Sequence, residues 1–292
     1  MPTNAHAVVL VTGSSSGIGR ACVLHLARQG WHVFGTTRRV PERVEADLRQ
    51  SLASSDQLDV VTMDVNDNES VVRTMKNIVE RAGRLDAVIN CAGFGIAGAV
   101  EETSDQEARA IFETNLLGIL RVCRAAIPIM RTQGSGIIIN VSSIGGRIGL
   151  PFQGFYSATK FALEGLTEAL RMEIRGFGIR AVLIEPGDFC TGFTDSRQLV
   201  EKSGMSDVYR ASQEHVLSIV EKDERGGASP DAIVRLVSRI LSKRSPRVRY
   251  TVGPAAQKLA AALKNVLPSK WFEWTLSKYY GVKPQQERKA QN

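Results

Sequence analysis

AVVLVTGSSSGIGR, residues 7–20, is an unbroken apolar run that stops at a glycine-punctuated turn and passes straight into a helical pattern. A run without polar alternation fits a strand covered on both faces. The glycines are spaced G-x-x-x-G-x-G. Gly13 permits the sharp turn, Gly17 lets the backbone approach a pyrophosphate, and Gly19 allows the helix to pack closely on the sheet. The helix N-terminus that follows presents oriented N–H groups to anionic phosphates. Ser15 and Ser16 add hydroxyl donors, and Ile18 completes the turn. A glycine-rich turn with no ligand is the plainer reading, and the strand–turn–helix setting argues against it.

Outward from this stretch, apolar runs and helical patterns alternate. Strands are expected at 7–12, 32–37, 59–63, 87–90, 136–142 and 179–185. Helices are expected over 17–29, 42–51, 69–82, 104–130 and 156–176. Repeated βα units of this kind predict a doubly wound parallel sheet with helices on both faces. Ligands of such sheets bind beyond the carboxyl ends of the strands. Residues 1–244 read as a single catalytic domain, with a loop over about 190–229, and 245–292 read as a C-terminal helical extension.

The end of the second strand decides the choice of dinucleotide. An acidic residue there would accept from a ribose 2′-OH, but the sequence has Thr36-Thr37-Arg38-Arg39. A guanidinium at that point makes charge-assisted bonds to a phosphate, so NADP(H) is expected, with a pair of solvated arginines as the alternative. Asp64, at the end of the third strand, is placed to accept from the adenine amino group or to cap a helix, with Val65 beside it. NCAG (90–93) contributes Asn90, Ala92 and Gly93 to the adenine-ribose side. Pro186, Gly187, Phe189 and Thr191 follow the sixth strand, where they can hold the nicotinamide carboxamide.

The chemical residues lie farther along the same edge. Tyr156 and Lys160 in YSATK are four apart and share a helix face. A neighbouring ammonium and a positively charged nicotinamide both favour phenolate, which lowers the phenol pKa toward working pH. Ser143, thirteen residues before Tyr156, can hold the substrate oxygen, with Ser142 the weaker candidate. Asn115 on the preceding long helix can bind a water that connects Lys160 to solvent.

TGSSSGIG, Asp64, NCAG, Asn115, Ser143, YSATK and EPGDFCT, in this order, resemble the short-chain dehydrogenase/reductase family over about residues 5–245. The resemblance implies a Rossmann-type sheet of about seven parallel strands and a Ser143–Tyr156–Lys160 catalytic set assisted by Asn115. It also implies homodimers or homotetramers packed through the helices over 104–130 and 156–176. Cys91 departs from the family, which more often has a second asparagine there. Residues 149–171 resemble the 17β-hydroxysteroid and retinol dehydrogenase branch, which implies a hydrophobic alcohol or ketone. A reductase of polar carbonyls, such as β-ketoacyl thioesters or sugars, stays open, as does an NADP(H)-sensing partner protein without turnover.

Bulk properties narrow the partners. Of 37 basic and 30 acidic residues, nine and two fall in 245–292, so residues 1–244 hold 28 of each and carry no net charge. The excess of +7 belongs to the tail, which argues against a nucleic-acid-binding face on the body. The start of the chain lacks a basic n-region and a cleavage site, so a cytoplasmic protein is expected. Four cysteines and four histidines show no metal-ligand spacing, and the cysteines read as buried or semi-buried thiols. Gly204, Gly226 and Gly227 in the 190–229 loop fit either a mobile lid or a plain surface loop. The tail interleaves lysines with Trp271, Trp274, Tyr279 and Tyr280. Docking over the cleft or on a partner subunit is expected, with peripheral membrane contact as the alternative hypothesis, and QQERKAQN (285–292) is expected to be disordered.

Overall fold

A computed structural model describes residues 7–38, 40–52, 57–203 and 207–282. His6, Arg39, Gly204 and the closing QQERKAQN lie outside the described residues. Seven parallel strands form the main sheet: β1 (Val8–Thr12), β2 (His32–Thr37), β3 (Leu58–Thr62), β4 (Ala87–Asn90), β6 (Gly136–Val141), β7 (Ile179–Pro186) and β9 (Arg249–Val252). Their order is β3-β2-β1-β4-β6-β7-β9. The chain leaves β1 in one direction and returns to its other side at β4, and that reversal opens a crevice at the carboxyl edge. Two short strands, β5 (Ile96–Ala97) and β8 (Gln198–Leu199), pair above that edge.

The unbroken apolar strands are explained by the two cores. Val9, Val11, Ile137 and Ile139 face one core with α1 (Gly17–Arg28) and α8 (Asp231–Ser242). Val8, Leu10 and Ile138 face the other with α3 (Asn68–Ala82) and α5 (Ile119–Gln133). Alternate side chains of each strand are thus buried on opposite faces. Between β2 and β3 lies α2 (Pro41–Gln50), and α6 (Gly154–Ile174) joins β6 to β7.

The helix expected over 104–130 starts with a capping box, Ser104 with Glu107, and runs from α4 (Asp105–Phe112) into α5. Between them Glu113–Gly118 form a wider π turn. Such turns shift the phase of the helix and recur at functional sites. Gly118 ends this turn against Val65, whose side chain a Cβ would meet at 2.8 Å. In the 190–229 segment, α7 (Arg210–Arg225) forms, and Phe189 bridges to Ala228 just past Gly226 and Gly227.

Two expectations are corrected. The seventh strand, β9, lies beyond residue 244, so a boundary there would cut the main sheet. Residues 255–282 form α9 (Ala255–Leu263) and α10 (Ser269–Tyr279), which pack on the body. Among the cysteines, Cys22 and Cys123 are buried and Cys91 half-buried, but Cys190 is exposed.

Arg249 on β9 fastens the late strand with charge. It pairs with Glu164 and Glu168 at 2.6 Å each and with Glu185 at 3.3 Å. Glu185 is fully buried and also holds Arg147 and the Thr251 hydroxyl. Removing one partner of a buried ion pair leaves an uncompensated charge. Arg249→Ala should therefore lose about 3 kcal/mol of stability, measured by urea unfolding. A loss below about 1 kcal/mol, the range of exposed pairs, would mean that Arg249 does not fasten the strand.

Candidate active site

The carboxyl edge of the sheet opens into one cavity of about 1180 Å3. On one side it is walled by the turn after β1. Gly13 and Gly17 have φ of +69° and +55°, values that L side chains rarely adopt. A Cβ on Gly13 would also meet the Ala92 backbone at 3.0 Å, and one on Gly19 would collide with the Gly13 carbonyl. Ser16, the N-cap of α1, makes no side-chain capping bond, and no acidic residue lies in the first turn. Those N–H groups therefore face the cavity with no carboxylate to compete, which fits a dinucleotide pyrophosphate. Thr12 Oγ1 accepts from the N–H groups of Cys91 and Ala92, at 3.0 Å each, and pins the NCAG loop beside this turn.

Most of the residues expected in the site line this cavity. Gly13, Ser15, Ser16, Gly17, Ile18, Gly19, Arg38 and Val65 do so on the nucleotide side, with Ala92 and Gly93. Ser143, Tyr156, Lys160, Pro186, Gly187, Phe189 and Thr191 do so on the other. Arg38 is exposed at the cavity edge.

Three residues are placed elsewhere. Asp64 accepts from the N–H of Asn66 at 2.9 Å, a local turn that leaves Met63, Val65 and Asn66 on the wall. Asn90 lies beneath the floor, where its amide donates to Asn140 at 2.9 Å, and Asn140 donates to Thr167 at 2.9 Å. Asn115 is fully buried in the π turn, and its amide clamps both backbone groups of Phe94, at 3.0 and 2.9 Å. The side chain thereby clamps the loop that carries Gly93.

The chemical group is held by α6. Its N-terminus follows Phe152, the only non-glycine residue with positive φ (56°) among the described residues. That left-handed residue turns the chain so that Gln153 and Tyr156 enter the cavity. The Gln153 side chain is 97% buried, since only 3% is exposed, and its Nε2 has no partner. Lys160 Nζ donates to the Val141 carbonyl at 3.0 Å and lies 5.8 Å from the Tyr156 ring centre.

Burial is the largest influence on both titrating groups of the site. Burial pushes the Tyr156 phenol up to about 12, against the Ser143 hydroxyl, which favours the ionised form. Burial pulls Lys160 down to about 8, against the Cys91 thiol and the Glu164 carboxylate, which favour its charge. Loss of water disfavours the charged form of each group. At neutral pH the phenol carries its proton and is poised as an acid.

The opposite wall includes groups that sequence reasoning missed. Asp188, Asp223 and Glu224 line it. Glu224 pairs with Arg197 and accepts from Thr194 at 2.7 Å. Asp188 is pushed up to about 6, mainly by burial and then by the neighbouring Glu224 and Asp223, against the bond from Gln257. Tyr279 donates to Asp223 at 2.5 Å. The acidic residues lie in loop and helix segments, and only the folded tail brings Gln257 and Tyr279 to them, so no spacing in the sequence could reveal the cluster.

The family model for short chain dehydrogenases matches residues 7–202. The chain belongs to this family. A 3-ketodihydrosphingosine reductase from Bacteroides thetaiotaomicron is 38% identical over 276 residues, covering 94% of this chain and 98% of that one. Human 17-beta-hydroxysteroid dehydrogenase type 1 is 30% identical over 84% of this chain and 77% of its own length. The crystal structure of a short-chain dehydrogenase from Streptomyces avermitilis superposes with a TM-score of 0.80 at 30% identity, covering 95% of this chain and 99% of that one. A short-chain dehydrogenase is an oxidoreductase, and the convergence of Ser143, Tyr156 and Lys160 on one cavity fits that chemistry.

Tyr156→Phe should keep dinucleotide binding, measured by cofactor fluorescence, and cut turnover roughly 10²- to 10⁴-fold. Turnover within a factor of about two of the parent would remove Tyr156 as proton donor. In the reductive direction, the rate should hold below pH 8 and fall as Lys160 loses its charge at about 8. A reductive rate that climbs through that pH would overturn the assignment to Lys160.

Proposed function

We propose that this short-chain dehydrogenase uses NADP(H) to interconvert a ketone and a secondary alcohol on a hydrophobic substrate. The substrate carries a long apolar chain with a polar, amine-bearing group near the carbonyl. The carrying observation is the mixed wall facing Tyr156. Ile148, Leu150, Phe193, Val220, Phe272 and Leu276 make it apolar, and Asp188, Asp223 and Glu224 add carboxylates. Three carboxylates against the single guanidinium of Arg197 favour a cationic head group. Likeness to a 3-ketodihydrosphingosine reductase along nearly the whole chain supports the same reading.

NADP(H) is supported by Arg38 at the cavity edge and by the absence of a carboxylate at 36–38. When bound, the cofactor supplies or accepts the hydride. Ser143 holds the substrate oxygen, Tyr156 gives its proton to that oxygen during reduction, and Lys160 keeps a positive charge near the phenol. Leu117, Phe161 and Met172 are exposed on the long helices, by 39, 45 and 73%. They support packing of two or four copies through that face.

A purified-enzyme panel tests the substrate. NADPH consumption should be fastest with 3-ketodihydrosphingosine, slower with a steroid ketone or retinal, and slowest with acetoacetyl thioesters and sugars. Fastest turnover with thioesters or sugars would sink the proposal and favour a polar-carbonyl reductase. Binding of NADPH with no turnover of any carbonyl would favour a sensor protein. Arg38→Asp should weaken NADPH roughly 10- to 100-fold, the worth of one charge-assisted bond, and leave NADH nearly unchanged. Equal loss for both cofactors would refute the role of Arg38.

A further inference from the structure

The last two helices have two unlike faces. Inward, Ala261 and Phe272 pack with Ile148, and Tyr280 packs with Val216 and Val220. Outward, Leu259 on α9, Val266 in the turn after it, and Trp271 and Trp274 on α10 are exposed by 59, 78, 68 and 65%. Single exposed apolar residues are common on soluble proteins, but two tryptophans three apart share one helix face. Basic residues accompany them along the same segment. Over 255–282 there are four lysines (Lys258, Lys264, Lys270 and Lys278) and one acid, Glu273, for a net +3. Residues 1–244 carry no net charge, so this segment holds a positive excess that the body lacks.

We propose that the outer face of α9 and α10 is a docking surface for an anionic lipid bilayer. Three features select this occupant. Tryptophan prefers the headgroup region, where its ring is half apolar and its N–H finds a partner. Lysines with apolar stems keep the ammonium in water while the stem lies along the ring, and Lys278 Nζ stands 5.2 Å over the Trp274 ring. The positive sign complements acidic headgroups. It opposes a second copy of the same face, which would set +3 against +3. Among the described residues no helix is long and apolar enough to cross a membrane, so the contact is peripheral. The inner face of the same two helices walls the cavity, so docking sets the cavity roof against the lipid surface. The inference concerns the outer face alone and stands whatever the cavity binds.

The test uses the full chain and the double variant Trp271→Ser/Trp274→Ser, whose changed side chains lie outside the cavity wall. Both are sedimented with vesicles of phosphatidylcholine alone or mixed with phosphatidylglycerol, at low and high salt. The chain has three tryptophans, and Trp31 is buried, so an emission shift on vesicle addition reports Trp271 and Trp274. We expect the full chain to partition to mixed vesicles with a blue shift, weakened by salt, and about tenfold less partitioning by the double variant. Equal partitioning of both proteins, equal binding to the two lipid compositions, or no binding at low salt would overturn the proposal. So would a full chain that ignores vesicles yet falls from oligomer to monomer on Trp271→Ser/Trp274→Ser, since a second copy would then cover the face.

Discussion

Lys160 is an ammonium deprived of water, anchored on the Val141 carbonyl at the end of a central strand. A lone buried amine tends to lose its proton, and burial does pull this one down to about 8. The same burial holds the Tyr156 phenol in its protonated form. The site thus sits where desolvation, not ion pairing, sets both groups. This constraint demands a rigid frame, because small changes in water access would move both titrations. Strands buried on both faces and the 21-residue α6 supply that frame.

The same constraint explains the supports behind the first layer. Asn115 spends its amide on the Phe94 backbone, which fixes the loop after β4. A Cβ on Gly93 would meet the Asn115 oxygen at 2.9 Å, so the clamp and the glycine require each other. Asn90, Asn140 and Thr167 form a buried polar ladder that ties β4, β6 and α6 together. Networks of this kind position neighbouring groups without touching a ligand.

Much of this was legible in the sequence. The apolar runs at 7–12, 136–142 and 179–185 gave parallel strands because both sheet faces are covered, and the glycine spacing at 13, 17 and 19 marked the tight turn from β1 into α1. Tyr156 and Lys160 could be placed on one helix face by their spacing alone. The phenol's acidity could not, since it depends on how much water the fold removes. Asp64 shows a different limit: a carboxylate at a strand end can serve a ligand or the backbone, and here one oxygen accepts from the N–H of Asn66. The seventh strand was missed because RYTV is four residues long and sits in a basic tail, where charge hid its strand character.

That late strand also explains why the tail cannot be an appendage. Pro186 pairs with Val252, and the Gly187 N–H donates to the Val252 carbonyl at 2.8 Å. The chain then turns at Gly253, whose φ of 139° only glycine adopts without strain. A Cβ on Gly253 would meet the Gly187 backbone at 3.1 Å, and one on Gly187 would collide with the Gln257 side chain. Gln257 in turn accepts from the Asp188 N–H at 2.9 Å. Gly187 therefore answers to the roof above it as well as to any ligand below. The register of one sheet edge sets where α9 begins, and α9 sets the carboxylate wall opposite Tyr156. Sheet, roof and chemical wall are positioned by a single stretch of backbone, so the active cavity is complete only when the last strand has joined the sheet.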